Sequence, residues 1–190
     1  MPYLKYAGQY VTSGGQYTLG VIPPPEEVTI GTQIWKTRNV DDNISLSKVY
    51  DDNESNRAIY GGLYLWSMVA DIEAANPGWH VPTDAEWTTL TDYLGGVTLA
   101  AGPLKEAGTD HWDATNVADN SSGFTLLGGG YRTATVYNGL RVASYMMTAD
   151  EYTPSPASFI WYRGFQNTTT FVTRGGQFKT YYYSVRLIKD

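Results

Sequence analysis

The ten residues Gly78-Trp79-His80-Val81-Pro82-Thr83-Asp84-Ala85-Glu86-Trp87 constrain the fold more than any other stretch of this chain. Pro82 has no backbone N–H to offer a ladder and stops a strand that precedes it. Thr83 followed three residues later by Glu86 forms a capping box, in which each side chain satisfies the other residue's backbone N–H. A helix is predicted to start here. Trp87, Leu90 and Leu94 recur at three- and four-residue spacing, Asp84, Thr88 and Asp92 take other directions, and Gly95-Gly96 supplies the stop. One face of this helix is therefore core. Trp79 and Trp87 add a large apolar area that needs a partner layer, expected to be a sheet.

A chain of 190 residues with 42% hydrophobic content supports one domain with a real core. Residues 26–190 read as that domain, and residues 1–25 as an N-terminal arm and proline-rich linker. The absence of cysteine excludes disulfides, thiolate catalysis and cysteine-ligated metal. No run of eighteen apolar residues occurs, so no membrane insertion is expected. The first ten residues lack a basic region followed by an apolar one, so no signal peptide is expected. Residues 131–190 hold seven Lys/Arg against three Asp/Glu, and residues 1–130 hold six against sixteen, so an acidic body bears a mildly basic end. Only two of those seven are lysines, which argues against a phosphate-tracking surface and so against nucleic acid.

Along the chain, residues 1–22 alternate weakly, as in Tyr10-Val11-Thr12 and Tyr17-Thr18-Leu19. They suggest a short hairpin or an arm for homo-oligomer contact, set off by Pro23-Pro24-Pro25. Val28 to Trp35 alternates and is predicted to be the first strand of the domain. The Asp-Asn clusters within residues 39–57 read as turn chemistry before calcium ligands. Ile59, Leu63, Trp66 and Ala70 predict a helix from Ala58 to Ala75, despite Gly61-Gly62. His80 has no second ligand at metal spacing and reads as structural. In the long connection of residues 97–122, Asp110, Asp113, Asn116 and Asp119 place an oxygen at every third residue. They offer a cation wrap, but a loop stapled by Trp112 explains them as well, so neither a metal site nor a cofactor is assigned. Gly128-Gly129-Gly130 lacks the Gly-Lys-Ser/Thr of a phosphate cradle and reads as a place where strands approach or bend.

The same central decapeptide resembles a known family. It is preceded by Tyr60-Gly61-Gly62-Leu63-Tyr64-Leu65-Trp66 and followed by Leu104-Lys105, Trp112, Ser122-Gly123-Phe124 and Ser184-Val185-Arg186. In that order these motifs resemble the Fibrobacter succinogenes major paralogous domain over roughly residues 28–190. The resemblance implies an α+β fold of C-type lectin-like kind, in its formylglycine-generating-enzyme version, with two helices packed on small twisted antiparallel sheets and long irregular loops. It also implies that ligands are met by the C-terminal loops and strands. Similar chains include variable proteins of diversity-generating retroelements, among them phage receptor-binding and bacterial surface proteins. One departure stands out: where the family often shows Trp-Ser-Ser/Thr-Thr-Glu, this chain has Tyr145-Met146-Met147-Thr148-Ala149-Asp150-Glu151.

Residues 131–183 carry eight of the sixteen tyrosines, interspersed with Ser, Thr, Asn, Gln and Arg. This mixture resembles a paratope, because tyrosine gives a large amphipathic contact at low rotamer cost and Ser, Thr and Asn adapt their hydrogen bonds. Tyr and Thr are also strand formers, so about half of these tyrosines are expected to be scaffold. The binding residues selected are Tyr137, Asn138, Tyr145, Tyr152, Phe159, Tyr162, Phe165, Asn167, Arg174, Tyr181 and Tyr182. Tyr183, Val185 and Leu187 are expected to face the core on a closing central strand beside the first one. The expected function is non-enzymatic binding of a protein or glycan receptor, on a phage virion or a bacterial surface. A structural appendage subunit is the alternative. Enzyme chemistry of the formylglycine-generating kind stands last, because it needs cysteines.

Overall fold

The computed structural model of the chain describes residues 10–13, 16–19 and 25–190. In chain order its strands are β1 (Tyr10–Ser13), β2 (Gln16–Leu19), β3 (Glu27–Ile30), β4 (Gln33–Lys36), β5 (Trp79–His80), β6 (Gly129–Arg132), β7 (Tyr137–Leu140), β8 (Ala143–Glu151), β9 (Phe159–Gln166), β10 (Thr173–Phe178) and β11 (Ile188–Lys189). Its helices are α1 (Arg57–Tyr60), α2 (Val69–Ala75), α3 (Asp84–Tyr93) and α4 (Ala101–Leu104). β1 and β2 form an antiparallel hairpin. The rest of the N-terminal arm, through which self-association is expected, lies outside the described residues.

The capped helix forms as its sequence requires. Thr83 Oγ1 accepts from the Glu86 N–H, Glu86 Oε2 accepts from the Thr83 N–H at 2.8 Å, and α3 runs from Asp84 to Tyr93. Trp87 and Leu90 are fully buried. Trp87 lies 5.0 Å from Trp35 of β4, ring centre to ring centre, and Phe124 packs edge-on to both. Phe165, Trp112, Leu104 and Met146 complete this first core. A second core gathers Tyr64, Met68, Ile72, Val81, Met147, Ile160, Tyr183, Val185 and Leu187. The two unusual methionines are thus both interior, pointing from opposite faces of β8 into different cores.

Two sheets carry these cores, in the orders β3-β4-β11-β5 and β10-β9-β8-β6-β7. The fold is α+β. Between the strands of these sheets the pairing is antiparallel except for β6 with β8, which meet in parallel at Gly130 and Ser144. Three expectations are corrected. Val28–Trp35 is a hairpin, because Gly31, at φ 61°, turns the chain so that Ile30 faces Gln33. The helix expected over residues 58–75 breaks after Tyr60. A side chain at Gly61 would lie 2.6 Å from the Val40 carbonyl oxygen, so the backbone passes too close for anything but glycine, and the chain runs extended through Leu63 and Tyr64 before α2. The closing central strand is reduced to isolated bridges at Tyr183 and Ser184 and the two-residue β11, although Tyr183, Val185 and Leu187 enter the second core as expected and Ser184 and Arg186 are buried as well.

Candidate functional site

Side chains alternate across a strand, and this divides the tyrosine-rich region into groups that its sequence does not separate. On one face of the five-stranded sheet, Tyr145 of β8 stacks on Tyr131 of β6 at 4.0 Å with ring planes 2° apart. Tyr162 of β9 lies 5.0 Å from Tyr145. Its ring is accommodated by glycines: side chains at Gly164 and Gly175 would meet it at 3.0 and 3.8 Å. On the other face, Phe159 packs on Phe178 at 4.5 Å, and Tyr152 packs on Trp161 at 4.6 Å. Tyr152 crosses over Gly176, where a side chain would lie 2.6 Å from its ring. The two groups meet where Tyr181 stands 5.3 Å from Phe178 and 6.5 Å from Tyr131. The result is a continuous aromatic edge around the end of β10.

The charges around this edge are settled within the domain. Arg174 lies 4.3 Å over the Trp161 ring and donates two hydrogen bonds to Asp84, at 3.0 and 2.6 Å. Lys179 pairs with Glu151 at 2.5 Å and lies 4.2 Å over Trp66. Burial pushes the Tyr145 and Tyr162 phenols upward, so both stay protonated hydrogen-bonding groups at neutral pH.

A third group is separate. Tyr137 donates to Asp52 at 2.6 Å and packs on Tyr50, and Arg132 lies 5.2 Å from the rings of both Tyr137 and Tyr182. Burial and the Asp52 carboxylate push the Tyr137 hydroxyl up to about 12. Asn138 is half-buried and donates within its own hairpin to the Val136 carbonyl.

Three of the residues selected from sequence are not surface residues. Phe165 has no exposed surface and packs on Trp87 in the first core. Asn167 is buried and donates through Nδ2 to Thr115 at 2.8 Å, holding two loops together. Tyr162 is 8% exposed and supports Tyr145 from below. Residues 109–113 wrap an arginine of the protein itself, while Asn116 donates to the Glu106 and Gly108 carbonyls and Asp119 accepts from the Ser121 N–H. Arg141 donates to the carbonyls of Thr109 and Asp110 and to the Asp113 carboxylate, and Trp112 is buried behind them. His80 is held between Asp190 and Glu86, each at 2.8 Å.

A family model for the Fibrobacter succinogenes major domain matches residues 28–189. The chain belongs to this family. No curated protein and no solved structure matches it.

Within this Fibrobacter succinogenes major domain, the residues missed from sequence are Tyr131, Trp161 and Phe178 at the edge, and Tyr50 and Arg132 in the separate group. Tyr131 and Phe178 were within reach of an alternation argument, since each sits on a short strand. Their partners are set by register across β6, β8, β9 and β10, and nothing local in the sequence fixes that register.

Proposed function

We propose that this domain is a non-enzymatic receptor-binding module of C-type lectin-like fold, displayed on a phage virion or a bacterial surface, and that the aromatic edge at the end of β10 is its contact surface. The single observation that carries the reading is the edge itself. Tyr131, Tyr145, Tyr152, Phe159, Phe178 and Tyr181 form one connected, partly exposed aromatic surface whose neighbouring charges are already paired. Phe178 is 41% exposed and lies against Phe159 and Tyr181, so it extends one contiguous aromatic patch instead of standing alone. Large aromatic side chains with few degrees of freedom dominate binding energy at interfaces. The paratope-like composition of residues 131–183 agrees with a surface diversified by a retroelement, with Asp84, Arg163 and Phe165 anchoring it from within.

The test is binding of the labelled domain to arrays of glycans and of bacterial envelope proteins. Saturable binding is expected, with a loss of at least about tenfold in Phe178→Ala and Tyr181→Ala and unchanged melting temperature. No binding to either array, or binding indifferent to both substitutions, would overturn the proposal. Deep sequencing of the gene from one propagated population addresses diversification. Substitutions clustered at adenine-bearing codons between residues 131 and 183 are expected, and a uniform gene would remove that part of the reading.

A further inference from the structure

A cleft of about 180 Å3 shares no residue with the aromatic edge. Its lining includes Arg38, Asn39, Ile59, Glu106, His111 and Arg186. We propose that this cleft binds a small organic carboxylate, with its anionic group answered by Arg38 and Arg186 and a hydroxyl by Glu106 and His111.

Arg186 is the reason. It is 1% exposed, and all four of its hydrogen bonds go to neutral oxygens: two to Asn39 Oδ1, at 3.1 and 3.0 Å, one to the Lys36 carbonyl at 3.1 Å and one to the Phe124 carbonyl at 2.5 Å. The Phe124 ring lies 4.4 Å from the guanidinium carbon. A guanidinium has five N–H groups, so one remains for a ligand. A buried charge without an opposite charge is costly, and burial here pulls the guanidinium down to about 9. A carboxylate in the cleft would supply the missing counter-charge. Arg38 stands at the same cleft, anchored through one Nη to the Ala58 carbonyl at 2.7 Å.

The opposite wall has different chemistry. His111 Nδ1 lies 2.9 and 3.1 Å from the two Glu106 carboxylate oxygens, so that nitrogen carries the proton and, in the neutral ring, Nε2 is the acceptor. Nε2 has no hydrogen bond among the described residues, and a ligand hydroxyl would fill that place. Ile59 and Leu127 are apolar flanks for a short carbon chain. The volume falls below the ~300–1,000 Å3 of pockets that take drug-sized molecules, which limits the ligand to a compact acid. The basic cleft also stands out against a chain of net charge -6, so the attraction is local.

Saturation-transfer NMR on the whole chain tests this with glycolate, lactate and malate, each beside its neutral amide. The acids are expected to give signal at millimolar concentration and the amides none. Arg38→Gln should weaken acid binding about tenfold, the typical cost of one charge-assisted contact. Ile59→Trp, at a position 45% exposed, should close the cleft and remove the signal without unfolding the domain. Equal signals from acids and amides, no signal from any acid, or affinities unchanged in both variants would each overturn the proposal. Phe178→Ala at the aromatic edge should leave acid binding unchanged, so the outcome is independent of the receptor-binding reading.

Discussion

The Arg163 guanidinium, with no exposed side-chain surface, lies 2.8 Å from the Asp84 carboxylate in the first turn of α3. It also donates to the Asp84 carbonyl and to Thr88 Oγ1, so one side chain of β9 fastens the sheet to the start of the helix. Asp84→Asn leaves this buried cation without its charge and should cost about 3 kcal/mol in denaturant unfolding. Arg174 reaches the same carboxylate from a more exposed position, and Arg174→Ala should cost under about 1 kcal/mol. Equal costs for the two would show that burial does not set the strength of these pairs.

Burial alone would raise the Asp84 carboxyl, but Arg174 and Arg163 outweigh it and hold it below the usual range. A lowered folded-state value means that the unfolded chain takes up the proton first. The stabilisation is therefore present above about pH 4 and lost as pH falls through the folded value. Unfolding midpoints measured from pH 5 to pH 2 should fall less steeply in Asp84→Asn than in the parent domain.

At His80 the sign reverses. Burial pulls the imidazole down, yet the Asp190 and Glu86 carboxylates more than compensate and its affinity for a proton is raised. The stabilisation is complete below about pH 6.5 and disappears as pH rises through the folded value. Thermal melts should show a lower midpoint at pH 8.5 than at pH 6, and His80→Gln should remove most of that difference.

Lys105 has no exposed surface, and its ammonium donates to the carbonyls of Gln166, Asn167 and Thr169 at 2.7, 3.1 and 3.0 Å. Lys105→Met keeps the apolar stem and removes the ammonium from three carbonyls, of which that of Asn167 still accepts from the Val117 N–H. The loss should be about 3 kcal/mol, and hydrogen exchange should accelerate across residues 167–172 before it does in α3.

Adding a methyl group at Gly176 places it 2.6 Å from the Tyr152 ring. The half-buried ring would be driven off Trp161. Gly176→Ala should therefore red-shift the tryptophan emission and lower stability by about 1 kcal/mol. An unchanged spectrum would show that Tyr152 does not rest on Gly176 in solution.

The sequence was informative where its signals are local. Thr83, Glu86 and the Trp87-Leu90 spacing make α3 readable because a capping box and a helical stripe both act within ten residues. β9 was not readable in the same way. Ile160 and Tyr162 are buried on one face, and Arg163 and Phe165 on the other, so alternation gives no phase by which to separate binding residues from core. Alternation therefore cannot tell that Phe165, selected as a binding residue, is core. Asp84 is 79 residues from Arg163 in sequence, and only the register of β9 under α3 joins them.

Met146 and Met147 stand back to back on β8, each sealed in a different core. That strand is a party wall. A chain cut in the turn between β6 and β7 would leave α3 and the first-core tryptophans in one fragment and both methionines in the other. Neither fragment could close either interior alone, so the two pieces should reassemble together or stay unstructured, with no half-built intermediate to accumulate.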